Sequence, residues 1–519
     1  MKKLGLGIQE LSKFRRDNLI YVDKTALVRK LVQDGTYYFF SRPRRFGKSL
    51  LVNTLQELFS GKRELFEDCR IAGQWNWEQR HPVIKLSFAE MSYRTQGLEK
   101  ALERALEEQA ARHGIRLQSP VYDQQFLELI RTLGGETPAV VLIDEYDKPI
   151  IDYLEQSAFQ QARKNREILK TLYSGVKDQD KYLRFFFITG VSKFSKVSMF
   201  SDLNHLTDIT LHGDFALLTG YTEEEIRTYY GEYLEAAAER LKLSQAVLFE
   251  KIKEWYNGYS WDGEHFVCNP YSVLSFFYEK AFKNYWFETG TPEFLISRLK
   301  ATGQRLHRSV SKLVDESAFN KYDIDHLNTT AILFQTGYLT IKEADYTENR
   351  YRLDFPNREV RDAFLHFAAE QYTDSSSDEM EHITDVLRNA FEHKEIQATF
   401  TVLQALFSSI AVRQLDKVKS YEGFYHSIIY IVLKILGVRI QCEVQSNFGS
   451  TDAVIQTERY IYIVEFKVGS ARSAIDQIRA RRYYGPYLAD TREVLLVGFG
   501  LNTGKRNLEE FIVEELEKP

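Results

Sequence analysis

The sequence predicts an α/β protein in two unequal parts, an open parallel sheet with a helical lid and then a smaller α/β domain. Three observations predict it. A β-branched and aromatic run, "TYYFF" (36–40), leads through "SRPRRFGKS" into the helical spacing of "SLLVNTLQELFSG" (49–61). Two further apolar runs, "AVVLIDEYDKPI" (139–150) and "LRFFFITG" (183–190), read as buried parallel strands that end at polar residues. Past residue 420 the order becomes a long apolar helix, three strands and a basic helix.

Bulk properties frame these segments. A chain of 519 residues is too long for one core and suggests about three domains. With 44% hydrophobic and 14% aromatic residues it is packed, and with only 10 Pro it shows no long flexible linker. No internal repeat at a fixed period is found. A net charge of −5 and a pI near 6.2 exclude polyanion binding by bulk charge, so any nucleic-acid surface must be local. Cys69, Cys268 and Cys442 are isolated with no CxxC pair, so neither a zinc knuckle nor a disulfide framework is indicated. The start, "MKKLGLGIQELSKFRR", lacks the apolar stretch of a signal peptide, and no run of about 18 apolar residues occurs, so a cytoplasmic protein without membrane partners is expected.

The first strand–loop–helix unit carries Gly47, Lys48 and Ser49 in the order of a phosphate-binding loop, but Arg42 stands where that loop ordinarily has its first glycine. Strand, loop and helix in this order aim backbone N–H groups and a helix N-terminus at a phosphate. Lys48 would reach the β- and γ-phosphates of ATP and Ser49 would hold Mg²⁺. The second strand ends in Asp144 and Glu145, where ligands bind in open α/β sheets; Asp144 would assist Mg²⁺ and Glu145 would activate a water. The third ends at Thr189, placed to sense a γ-phosphate. Each feature has a plain alternative: a chance GKS, a solvated basic turn, a helix cap, a structural threonine. Their joint occurrence in chain order, each at a strand's end, points to nucleotide binding.

In the C-terminal part, "SYEGFYHSIIYIVLKILG" (420–437) is a helix bearing Glu422, "VRIQCEVQS" and "FGSTDAVIQT" are strands, and "RYIYIVEFKVG" ends in Glu465-Phe466-Lys467. Period-two geometry puts Glu465 and Lys467 on one face and turns Phe466 to the core. Asp452 on the neighbouring strand can join Glu465 on Mg²⁺ or Mn²⁺, with Glu422 as a further carboxylate and Lys467 orienting a water. The plain alternative is an exposed cross-strand salt bridge. The following helix, "SAIDQIRARRYYGPYL", offers Gln477 as a catalytic partner and Arg479, Arg481 and Arg482 as a local basic patch for a phosphate backbone. His205, His326 and His426 lack ligand spacing. In the middle, Thr222 to Glu225 forms a capping box, and the aromatics of "WYNGYSWDG" read as core and turn packing, with stacking on single-stranded nucleic acid as the alternative.

These segments resemble a known family, the bacterial and archaeal AAA-ATPase-like proteins with a C-terminal PD-(D/E)XK nuclease domain. The resemblance rests on "YVDKTALVRKL" (21–31), "RPRRFGKSL" (42–50), "LIDEYDKPI" (142–150), "SMFSDLNHLTDIT" (198–210), "LTGYTEEE" (218–225), "WYNGYSWDG" (255–263), "NPYSV" (269–273), "TGTPEFL" (289–295), "LFQTGYLTI" (333–341) and "FPNREVRDAF" (355–364), and so covers nearly the whole chain. It implies a P-loop NTPase (AAA-like) sheet over 1–218, a helical lid and connecting domain over 219–375, and a PD-(D/E)XK nuclease-like domain over 376–519. It implies that RPRRFGKS is the family's ordinary loop, with Pro43 fixing the turn and Arg44 or Arg45 adding charge near the phosphates. Gln477 with Tyr483 resembles the family's QI-x4-Y stretch, while "GSTD" replaces a GRxD-like stretch and removes one phosphate contact. The expected activity is ATP-controlled, metal-dependent cleavage of DNA, possible in a homo-oligomer and in a defence or mobile-element setting. The competing expectation is a nucleotide-dependent switch or assembly protein that binds nucleic acid without cutting it.

Overall fold

The computed structural model describes residues 2–154, 158–193, 199–200, 203, 205–286, 296, 312–320, 328–373, 376–409, 421–436, 439–446, 449–502, 504–505 and 507–517. The "TGTPEFL" stretch lies outside them. The chain divides into two compact units, Met1–Thr291 with Lys312–Arg361 and Pro292–Ser311 with Asp362–Pro519.

In the first unit, β1 (Tyr37–Ser41), β2 (Val83–Ser87), β3 (Ala139–Asp144), β4 (Leu183–Gly190) and β5 (Thr207–Asp208) form a parallel sheet in the order β2-β3-β4-β1-β5. β1 and β3 are buried at every residue, the signature of interior strands with both faces covered. The covering helices include α1 (Lys48–Phe59), α2 (Leu98–Arg112), α3 (Tyr122–Leu133) and α4 (Phe159–Ser174). Leu51, Leu55, Leu58 and Phe59 of α1 share one core with Phe40, Leu142, Phe185 and Phe187 of the strands. Each such buried side chain is worth about 1.5–3 kcal/mol. The register sets Phe40 beside Thr189 and Ser41 beside Gly190, while Ser87 lies beside Asp144, so the carboxyl ends of four strands finish together. This is the edge at which the sequence places its polar residues.

Four helices follow: α5 (Glu223–Tyr229), α6 (Gly231–Leu241), α7 (Gln245–Tyr256) and α8 (Pro270–Glu279). The capping box is present, with Thr222 and Glu225 satisfying each other's backbone N–H groups. Tyr230, Leu248, Ile252, Tyr256, Phe276 and Phe277 make a second core. Tyr256, Tyr259 and Trp261 are all buried, which removes them as stacking platforms for single-stranded nucleic acid. The region expected to be helical also holds a sheet of β6 (Lys312–Asp315), β7 (Thr340–Asp345) and β8 (Arg350–Asp354), in the order β6-β8-β7. Its strands are only four to six residues long, a weak local signal against the strong helical periods around it. After β8 the chain runs through α9 (Arg358–Thr373).

In the second unit, α10 (Ser377–Glu392), α11 (Ile396–Ser409) and α12 (Tyr421–Ile435) precede β9 (Arg439–Ser446), β10 (Gly449–Gln456) and β11 (Tyr460–Val468). Then come α13 (Ala471–Ala480), β12 (Glu493–Asn502) and β13 (Asn507–Glu515), and the sheet order is β13-β12-β11-β10-β9. Only β11 and β12 pair in parallel, because α13 is the crossover between them. Val454, Ile461, Ile463, Ile475, Ile478, Val494 and Leu496 form the core. Gly498 lets α13 approach the sheet: a Cβ there would lie 2.5 Å from the Ala471 carbonyl oxygen. The basic helix is shorter than expected. It ends at Ala480, so Arg481, Arg482 and Tyr483 sit in the turn beyond, with Arg482 at φ 46°. Among the described residues no helix is long and apolar enough to cross a membrane.

Candidate functional site

The chain leaves β1 at Ser41 and re-enters helix at Lys48 through a loop with two left-handed residues, Arg45 (φ 67°) and Gly47 (φ 87°). Glycine takes that conformation freely, whereas Arg45 is held there at a cost of about 1 kcal/mol or more. Gly47 caps α1 without a side chain, so no capping side chain occupies the first-turn N–H groups. Lys48 is buried, and its Nζ donates to the carbonyl oxygens of Arg42 and Pro43, both at 2.9 Å. Burial pulls its pKa down, while Asp144, Glu145 and Asp147 pull it back up. Its ammonium is thus held inside the loop, among acids.

Those acids stand at the tip of β3. Asp144 is buried, which raises its pKa; the Ser49 hydroxyl and Lys48 oppose the rise. Its Oδ1 has no hydrogen-bond partner among the described residues, nor has the Oγ1 of fully buried Thr189 on β4. Buried polar atoms are rarely left so, though neither residue lines the cavity over the loop. Glu145 adopts φ 51°, a second strained position at this edge. Thus Lys48, Ser49, Asp144 and Glu145 converge, with Thr189 on the adjoining strand.

Two residues of the same motif escaped the sequence reading. Asp147 accepts from the N–H groups of Val191 (3.0 Å) and Ser192 (2.5 Å), and burial pushes its carboxyl up to about 6. Tyr146 donates its N–H to the Thr189 carbonyl (3.1 Å) and its hydroxyl to the Ser192 carbonyl (2.9 Å). Together they tie the "DEYD" turn to the end of β4; the second Asp of that string was the available signal.

A cavity of about 540 Å³ opens over the loop. Arg44, Arg45, Lys48, Ser49, Glu145 and Lys148 line one part of it, and Gln9, Tyr21, Leu218, Tyr221 and Tyr271 line another. A lining that mixes cations, a hydroxyl and aromatic rings suits a ligand with phosphates, a sugar and a base. The Arg45 guanidinium lies 3.7 Å from the Tyr271 ring centroid. Arg42 is absent from the lining, because its side chain turns the other way into the protein.

The second constellation forms on β10 and β11. The Asp452 N–H donates to Glu465 Oε2 (3.1 Å), and the Phe466 N–H donates to Asp452 Oδ2 (2.8 Å). The Thr451 hydroxyl lies 3.3 Å from Glu465 Oε2, and the Gln477 amide on α13 donates to Glu465 Oε1. The Gln477 amide is also 3.4 Å from the Tyr483 hydroxyl, and Lys467 Nζ is 3.9 Å from Glu465 Oε1. Phe466 is buried and stacks on Phe499 at 4.8 Å, as strand alternation requires. Burial, then the charge of Asp452, pushes the Glu465 carboxyl well above the usual carboxylate range. Two adjacent carboxylates are a hard-oxygen donor set that suits Mg²⁺ or Mn²⁺. Glu422 belongs to the first turn of α12, and its side chain lies outside the described residues. Among the described residues, no three His, Cys, Asp or Glu side chains are grouped to hold a metal.

The basic patch needs a correction. Arg479 donates twice to Glu514 Oε2 (2.8 and 2.6 Å), and Arg472 donates to Glu514 Oε1 (2.5 Å). Both share one carboxylate, Glu514 on β13, which no local pattern linked to them and which offsets one of their two charges. Arg481 and Arg482 are exposed in the turn after α13.

Residues 5–200 match the sequence profile of the AAA-ATPase-like family, described as a predicted AAA-ATPase. Residues 420–511 match that of the PD-(D/E)XK nuclease superfamily. Over 527 aligned positions the chain is 36% identical to an "Uncharacterized protein in vnfD 5'region" of Azotobacter chroococcum mcd 1, covering 99% of each chain. No solved structure matches it.

Proposed function

The chain belongs to the family of AAA-ATPase-like proteins that carry a C-terminal PD-(D/E)XK nuclease-superfamily domain, and from that premise we propose an ATP-binding ATPase coupled to a metal-dependent nuclease that cuts DNA under nucleotide control. We assign residues 1–218 to the ATPase core, 219–375 to the lid and connecting region and 376–519 to the nuclease. The observation that carries the proposal is the convergence of Asp452, Glu465, Lys467 and Gln477 around one point, in a unit separate from the phosphate loop.

In the first unit ATP is the substrate. Lys48 and the first-turn N–H groups of α1 bind its phosphates, with Arg44 and Arg45 adding positive charge. Ser49 and Asp144 hold Mg²⁺, Glu145 orients the attacking water and Thr189 reads the γ-phosphate. In the second unit Asp452 and Glu465 bind the metal, with Glu422 as a further ligand. A divalent ion there supplies charge for a phosphodiester and lowers the pKa of a water. Gln477 fixes the Glu465 carboxylate, and Lys467 orients the water and meets the charge that develops on phosphate. A defence or mobile-element setting for this chemistry is part of the same proposal.

The test is a panel of supercoiled, linear and branched DNA incubated with Mg²⁺ or Mn²⁺. Metal-dependent cutting by the wild type that disappears in Asp452→Ala and Lys467→Ala supports the nuclease. Binding without cutting under every condition overturns it in favour of a nucleotide-dependent switch.

A further inference from the structure

Arg42 occupies the place of the loop's usual first glycine, and the structure shows where so large a side chain goes. It is 1% exposed. Its guanidinium carbon lies 3.8 Å from the centroid of Trp261 and 4.4 Å from that of Phe40. Nη1 donates to the carbonyl oxygens of Ser41 (2.9 Å) and Thr210 (2.8 Å), while Nε and Nη2 have no hydrogen-bond partner among the described residues. The buried cation is thus held by two carbonyl hydrogen bonds through Nη1 and by two aromatic rings, with Nε and Nη2 left to the rings alone. Asp208 and Asp262 favour its charge from further away, and burial pulls its pKa down to about 9, so it stays a cation at neutral pH.

The ring itself is fixed. Trp261 belongs to a turn in which Asp262 accepts from the Ser260 hydroxyl, the N–H groups of Glu264 and His265, and the His265 ring. Ser260 donates its N–H to the Thr340 hydroxyl at 2.6 Å, which anchors the turn to β7. Phe46, at the other end of the loop, packs edge-on against the same Trp261 at 5.3 Å. The consequence lies on the opposite side of the main chain, where Lys48 Nζ is bound by the carbonyls of Arg42 and Pro43.

We propose that Trp261 is a positioning residue for nucleotide binding: with Phe40 it grips the Arg42 guanidinium, and that grip sets the carbonyls that hold Lys48 at the phosphates. The loop is thereby fixed by a cation between two rings where other phosphate loops rely on a glycine turn. This deepens the nucleotide-binding reading and rests on it.

The experiment measures ATP affinity with a fluorescent ATP analogue displaced by ATP, ATPase KM and kcat, and thermal unfolding, for wild type, Trp261→Phe, Trp261→Leu and Arg42→Gly. Trp261→Phe keeps an aromatic face and is expected to bind ATP within a factor of about three of wild type. Trp261→Leu, and equally Arg42→Gly although it restores the usual residue, are expected to weaken ATP at least about tenfold and to raise KM more than they lower kcat. A merely structural role would instead lower the active fraction, reducing kcat at unchanged KM and affinity, and that result overturns the proposal. Wild-type affinity in Trp261→Leu or in Arg42→Gly also overturns it. Failure of the wild type to bind ATP is a different outcome and overturns the nucleotide reading itself.

Discussion

The two constellations treat buried polar atoms in opposite ways. At the phosphate loop, Asp144 Oδ1 and Thr189 Oγ1 are buried without partners among the described residues, and the cation Lys48 is held by main-chain carbonyls beside an open cavity. At the C-terminal hairpin, Glu465 is met on both oxygens by the Asp452 N–H, the Thr451 hydroxyl and the Gln477 amide, with Lys467 nearby. The first site thus keeps unused hydrogen-bond capacity at the strand tips beneath the loop. The second is pre-set by protein groups, with the buried Glu465 carboxyl beside that of Asp452. Partner-seeking atoms suit a substrate that comes and goes, and a locked carboxylate pair suits a resident cation.

The largest effect that would break this contrast is at the hairpin. Asp452→Ala is expected to reduce metal-dependent DNA cutting by about 10³-fold or more, and Lys467→Ala by about 10²–10³-fold, both read as initial cleavage rates. Next, Lys48→Ala should weaken ATP by about 2–3 kcal/mol, roughly 10²-fold, in a direct binding titration. Gln477→Leu tests the locking itself: it removes one donor to Glu465 and should cost about 10–100-fold in apparent metal affinity, read from the metal dependence of cutting.

A stability measurement, not an activity, separates a raised carboxyl from a functional one. Glu359 on α9 is fully buried, accepts from the Ser272 hydroxyl and the Trp286 N–H (both 2.8 Å), and is pushed up to about 7 by burial, with no second carboxylate among the causes. Because its folded pKa lies above the unfolded one, the folded state holds the proton more tightly. Stability therefore falls as pH rises from about 4.5 through about 7, by roughly 3 kcal/mol in all. Glu359→Gln should flatten the fall, measured as the unfolding midpoint at pH 5 and pH 8. An unchanged slope would place the titration elsewhere.

What the sequence made legible was local. The strand, loop and helix around Gly47-Lys48-Ser49, the acid-tipped strand at Asp144, and the Asp452 and Glu465-x-Lys467 hairpin are each encoded by neighbours a few residues apart, where period and spacing speak directly. What it hid was long-range. Nothing near Arg42 announces Trp261, and nothing near Arg479 announces Glu514, because such pairings exist only once distant segments pack. The far wall of the cavity, with Gln9, Tyr221 and Tyr271, is assembled from three separate stretches and was unreadable for the same reason. The early end of α13 at Ala480 was lost among good helix formers, since arginine and alanine give no stop signal and the left-handed turn falls on Arg482.

The central claim, that two distinct ligand sites act as one nucleotide-governed nuclease, is tested most directly by DNA cleavage rates with and without ATP, in wild type and in Lys48→Ala. The account predicts a clear ATP response in the wild type that vanishes in Lys48→Ala while Asp452→Ala cuts nothing. Cutting at one rate in both proteins, whatever the ATP concentration, would contradict it.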